Sequence, residues 1–71
     1  MDASVLSSIF NRLSWPETVQ WLQDHQLATV IESYDYYRHT YLEVRVYDPK
    51  LQQLLVDHWP QHQLDNQTWR L

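Results

Sequence analysis

The sequence predicts a small α+β domain in which helices pack on one face of a two- or three-stranded, mainly antiparallel sheet. Three observations lead to this fold class. Residues 40–47 have the strict alternation of a strand, a capped amphipathic segment follows them directly, and two further amphipathic segments precede them. The predicted order is helix, helix, strand, strand, helix, strand (ααββαβ), and it occupies residues 1–71 as one domain.

The strand predicted over residues 40–47 has two chemically different faces. A strand points successive side chains to opposite faces of its sheet. One face carries Leu42, Val44 and Val46, and the other carries Tyr41, Glu43, Arg45 and Tyr47. Such alternation indicates a sheet that is covered by apolar packing on one side and exposed to solvent on the other.

Side-chain spacing and capping residues predict three helices, over residues 3–13, 15–25 and 49–59. Ser14 and Glu17 have the spacing of a capping box at the start of the second helix. Asp48 caps the third helix, and Pro49 occupies its first turn without losing a hydrogen bond. Trp21 lies beside the apolar stripe of the second helix, so we expect it to be partly exposed.

Two less regular segments complete the predicted sheet. Residues 27–37 contain strand-forming side chains with weaker alternation, and Arg38-His39 is the predicted turn of a hairpin. A four-residue or a bulged loop suits this turn as well as a tight one, because the chain has no glycine. We predict a short final strand within residues 64–71. Without glycine, we expect Asn, Asp, His or Pro to form the turns.

The composition excludes several classes of protein. The chain has no cysteine, which excludes disulfides and thiolate metal sites, and no glycine, which excludes the usual glycine-rich phosphate loops. Nine acidic and five scattered basic residues give a net charge of −4, which disfavours nucleic acid as a partner. No apolar run approaches the roughly 20 residues that span a bilayer. With no recognisable signal peptide, a cytoplasmic location away from membranes is predicted.

The polar side chains do not form a recognisable catalytic or metal-binding motif. His58 and His62 have the spacing of two metal ligands on one helix, but a proline between them interrupts that helix. An acid–base pair of His39 with Glu32 or Glu43 is the remaining enzymatic alternative. The sequence therefore predicts a non-catalytic protein without a metal or a cofactor.

Tyrosine is concentrated in the predicted hairpin, at positions 34, 36, 37, 41 and 47. A chain of 71 residues cannot bury all ten of its aromatic side chains, and exposed tyrosine and arginine dominate the hot spots of protein interfaces. We predict an adaptor, a regulator or a small subunit that binds a protein partner, or itself as a homodimer, through the hairpin. The predicted contact residues are Tyr41, Tyr47 and Arg45, followed by Tyr34, Tyr36 and Trp21.

Two other interpretations of the tyrosines stay open. The same rings could stack single-stranded bases, although the net charge is negative where a nucleic-acid groove is positive. Alternatively, the tyrosines reflect only the high strand propensity of this residue and cover the second face of the sheet.

Overall fold

The computed structural model describes residues 2–71 and has the predicted α+β architecture and element order. Its helices and strands are α1 (Ala3–Phe10), α2 (Trp15–Asp24), β1 (Thr29–Tyr34), β2 (Thr40–Arg45), α3 (Pro49–His58) and β3 (Thr68–Arg70). A short 3-10 helix, Pro60–His62, lies between α3 and β3. The sheet has three strands in the order β1-β2-β3, and both neighbouring pairs are antiparallel.

Each helix begins directly after a residue that caps it, and the caps of α2 and α3 are the predicted ones. Asp2 caps α1 with a side-chain oxygen 3.0 Å from a backbone amide, and Ser14 and Glu17 form the complete capping box of α2. Asp48 accepts hydrogen bonds from two backbone amides of α3, at 2.9 and 3.2 Å. The bonds from backbone amides lower the pKa of Asp2 and of Glu17, because they stabilise the charged carboxylates.

The hydrophobic core lies between the helices and one face of the sheet. The sheet contributes Val44 and Trp69, and Val46 follows directly after β2; all three are fully buried. The helices contribute Leu6, Phe10, Trp15, Val19, Leu22, Leu51 and Leu55. Trp15 also donates its indole N–H to the backbone carbonyl of Arg70 at 2.8 Å, which joins α2 to β3.

The helices cover only part of this face of the sheet. Leu42 shares the face with Val44 and Val46 but is 43% exposed, so the prediction that all three would be buried was wrong for Leu42. Tyr34 and Leu71, which the strand registers place on the same face, are exposed as well. The β1–β2 hairpin therefore extends beyond the helices, in a molecule that measures 39 × 20 × 20 Å.

α2 ends in a Schellman motif that uses glutamine where glycine is usual. The N–H of Leu27 donates to the carbonyl of Leu22 at 2.8 Å, and the N–H of Gln26 donates to the carbonyl of Gln23 at 3.0 Å. This geometry requires a left-handed backbone at Gln26, where φ is 60°. The expectation that Asn, Asp, His or Pro would occupy such positions was wrong here.

We expect the Gln26→Gly substitution to raise the free energy of unfolding by about 1 kcal/mol, because glycine adopts the left-handed conformation without a steric penalty. Urea titration followed by circular dichroism measures the change. The matched control is Gln23→Gly, the same replacement three residues earlier within α2. That control should destabilise by about 1 kcal/mol, and a loss of stability in both variants would contradict the interpretation.

Candidate interaction surface of the hairpin

Asp35 determines the shape of the hairpin tip, residues 35–39. Its carboxylate accepts hydrogen bonds from the backbone N–H groups of Tyr37 and His39, at 2.8 and 2.9 Å. The N–H of Arg38 donates to the carbonyl of Asp35, and Arg38 has a left-handed backbone with φ of 64°. A turn followed by one left-handed residue is the bulged loop that the sequence allowed as one alternative. The predicted position, Arg38-His39, was wrong, because the turn is centred on Tyr36 and Tyr37. The tip is therefore a defined structure.

Three tyrosines project from or beside this tip. Tyr36 is 93% exposed, Tyr37 is 76% exposed, and Tyr34, the last residue of β1, is 66% exposed. The rings of Tyr36 and Tyr37 meet edge to face, with 5.4 Å between their centroids. The hairpin consequently presents a large aromatic area to solvent from a backbone that Asp35 holds in place.

The face of the sheet opposite the helices, here called the open face, carries Thr29, Ile31, Ser33, Tyr41, Glu43, Arg45, Thr68 and Arg70. Glu43 lies at its centre, and its side chain is only 12% exposed. Arg45 holds this carboxylate through Nε and Nη2, both 3.2 Å from Oε2. The hydroxyl of Tyr47 and the Glu43 carboxylate raise the pKa of Arg45. The charges at the centre of the open face are therefore already paired.

A cleft of about 210 Å³ lies at one end of the open face, beside Arg45, Tyr47 and Asp48. Its other wall is formed by residues 26–28, which connect α2 to β1, and by Thr29, the first residue of β1. Small-molecule sites usually measure roughly 300–1,000 Å³. A cleft of this size suits a single anchoring side chain better than a substrate.

The five hairpin residues predicted to make contacts do not form one surface. Tyr41 and Arg45 lie on the open face, and the exposed Tyr47 is the second residue after the end of β2. Tyr34 lies on the opposite side of the sheet, and Tyr36 lies at the tip. The structure thus separates a group on the open face from a group at the tip.

Trp21, the sixth predicted contact residue, lies on α2 and is half-buried, as the spacing predicted. Its ring meets Phe10 edge-on at 5.7 Å and stacks on His25 at 4.0 Å. These contacts place Trp21 in the helical layer, so it is not part of the hairpin surface.

The proposed acid–base residues do not converge. Glu32 and Glu43 lie on opposite faces of the sheet, since Glu32 pairs with Leu42 and Ile31 pairs with Glu43. His39 is exposed and lies 3.5 Å from the carboxylate of Asp35 instead. Within the described residues no three His, Cys, Asp or Glu side chains group as metal ligands, and no helix is both long and apolar enough to cross a membrane.

One polar contact joins two helices that are far apart in the sequence. Ser7 Oγ on α1 lies 3.0 Å from His58 Nε2 on α3, in a partly buried position. Phe10 packs edge-on against the same imidazole at 6.1 Å. The pair joins two helices across 51 positions of the chain, so no local motif could have revealed it.

Comparison of the chain with protein-family models, with curated proteins and with solved structures gave no match. The geometry alone therefore defines the class of protein. It is a small α+β domain with helices on one face of a three-stranded antiparallel sheet, an open second face and a projecting tyrosine-rich hairpin.

Proposed function

We propose that this protein is a small interaction module, an adaptor, a regulator or a subunit of a larger assembly, that binds a protein partner through its β1–β2 hairpin. One observation carries the proposal: Tyr36 and Tyr37, on a turn that Asp35 fixes by hydrogen bonds, and Tyr34, at the end of the strand before it, are largely exposed. Tyrosine has few rotatable bonds, so ordering it in an interface loses little entropy. The fixed turn reduces that loss further.

The charges of the hairpin support a protein partner over a nucleic acid. On the open face, Arg70 already covers the ring of Tyr41, with 4.7 Å between guanidinium carbon and ring centroid. Arg45 is paired with Glu43. Near the tip, Asp35 and Glu32 outnumber the single arginine, Arg38, so the formal charge there is negative and repels a phosphate backbone. A cytoplasmic setting belongs to the same proposal, since the chain has no cysteine and therefore gives no sign of an oxidising compartment.

The proposal is tested by affinity capture of the tagged protein at native expression, followed by mass spectrometry and titration of the captured partner. We expect the Tyr34→Thr/Tyr36→Ser double variant to bind that partner at least about tenfold more weakly, because truncated hot-spot residues lose roughly 2 kcal/mol or more. Tyr47→Ser, at the end of the open face, measures how far the contact extends along the hairpin.

The matched control replaces two exposed polar residues outside the hairpin, in Gln61→Ala/Asn66→Ala. It should bind as tightly as the unaltered protein, and all variants should retain the same circular dichroism spectrum. If the tyrosine variants bind the partner with unchanged affinity, or if only single-stranded oligonucleotide binds, the proposal is wrong.

A further inference from the structure

Strand β1 forms a free edge of the sheet. Among residues 2–71, the sheet order β1-β2-β3 gives β1 a strand neighbour on one side only. At six residues, β1 is also twice as long as β3, the other edge strand. A free edge exposes backbone N–H and C=O groups that can pair with another strand.

The hydrogen-bond pattern identifies the backbone groups that point outward. In the hairpin, the N–H of Asp35 donates to the carbonyl of His39. Because alternate residues of a strand direct their backbone groups to opposite sides, the odd-numbered residues of β1 form the hydrogen bonds to β2. The N–H of Leu71 donates to the carbonyl of Leu42, so the even-numbered residues of β2 direct their backbone groups toward β3 and away from β1. Their partners in β1, which are also even-numbered, receive no hydrogen bonds from β2. Val30, Glu32 and Tyr34 therefore direct both backbone groups away from the sheet.

These outward groups have no hydrogen-bond partner within residues 2–71, from either backbone or side chains. Their alternation along β1 matches one ligand geometry, an extended strand laid alongside. The side chains beside them suit burial, because Ile31 is half-buried on the open face while Tyr34 and Leu42 are exposed on the other face. A pairing strand would cover apolar area on both sides.

The negative charge of Glu32, at the middle of this edge, favours one kind of pairing strand over another. An antiparallel second copy that uses all three outward residues would pair Val30 with Tyr34 and place Glu32 directly opposite Glu32 of the second copy. Like charges directly opposite each other destabilise a strand pair. A strand from another protein with a lysine or an arginine at that position would instead form an opposite-charge pair.

We propose that β1 accepts an extended segment of another protein as a fourth, antiparallel strand, and that Glu32 selects segments with a cation opposite it and apolar neighbours. This inference rests on the proposed interaction function and names the chemistry of the partner. Glu32 has a second effect, because the same charge keeps two copies of this chain from pairing through β1.

The test uses two end-blocked synthetic peptides of alternating valine and threonine, one with a central arginine and the other with a central glutamate. Each is titrated into the full chain, and amide hydrogen exchange is read by NMR. We expect the arginine peptide to bind about tenfold more tightly than the glutamate peptide. Its binding should protect the amides of Val30, Glu32 and Tyr34 from exchange.

In the Glu32→Arg variant, the preference between the two peptides should reverse. The control variant is Asp57→Arg, which makes the same charge change at an exposed position on α3 and should retain the original preference. Three results would overturn the inference: an unchanged preference in Glu32→Arg, no protection of the β1 amides, or self-association of the unaltered chain through β1. If a captured partner binds the Glu32→Arg variant and the unaltered chain equally, the proposed interaction function is supported and the inference about β1 is rejected.

Discussion

Substitution of Trp69 by alanine is expected to lower the free energy of unfolding by about 3–5 kcal/mol. Trp69 is fully buried at the centre of the core and lies on β3 opposite Val44. A domain of this size has a total stability of roughly 4–10 kcal/mol. The alanine variant should therefore be largely unfolded on warming, with a melting temperature reduced by about 20 °C or more in a calorimetric scan.

The conservative variant Trp69→Phe separates the size of the side chain from its polar group. Within the described residues, the buried indole Nε1 of Trp69 has no hydrogen-bond partner. Phenylalanine fills most of the volume and removes this unsatisfied donor, which by itself is worth roughly 1–3 kcal/mol. We expect Trp69→Phe to lose less than half as much stability as Trp69→Ala. An alanine variant within 1 kcal/mol of the unaltered protein would contradict the assignment of Trp69 to the core.

The second large effect is expected for Phe10→Ala, at about 3–4 kcal/mol. Phe10 is 1% exposed and meets Trp21 on α2 and His58 on α3 edge-on. α1 has only eight residues, and so short a helix is not stable in water without tertiary packing. Loss of the Phe10 ring should therefore release α1 from the helical layer as well as destabilise the domain.

Amide hydrogen exchange distinguishes local release from uniform destabilisation. In Phe10→Ala, the amides of α1 should lose more protection than those of α2. Val5→Ala provides the control, because Val5 lies on the same helix but is 46% exposed. We expect it to change stability by less than about 0.5 kcal/mol. Equal effects of the two substitutions would show that α1 does not depend on its Phe10 contacts.

Local chemistry accounts for most of what the sequence predicted correctly about the fold. The capping residues Ser14, Glu17 and Asp48 act on amides within three residues of themselves, so their spacing is sufficient to place a helix start. Alternation from Leu42 to Val46 likewise needs only neighbouring residues to indicate a strand. The burial of Val44 and Val46 followed directly from it.

The candidate site could be predicted only in part. Exposure of several hairpin tyrosines followed from composition, because so many aromatic side chains exceed the core of a small domain. Their division was not predictable: the register of β1 against β2 places Tyr34 on the side opposite Tyr41. The weak alternation of residues 27–37 could not determine that register, because pairing by one residue more or less reverses every face.

The sequence by itself determined the element order, the helix starts and the apolar face of the central strand, because these depend on interactions between residues close together in the chain. Only the tertiary structure decided how far the helices cover the sheet, which leaves Leu42 exposed, and which contacts join distant segments, such as Ser7 with His58. The free edge of β1 and the outward direction of the Glu32 backbone groups also depend on the tertiary structure. They depend on strand order and register, which are set by the packing of the whole chain.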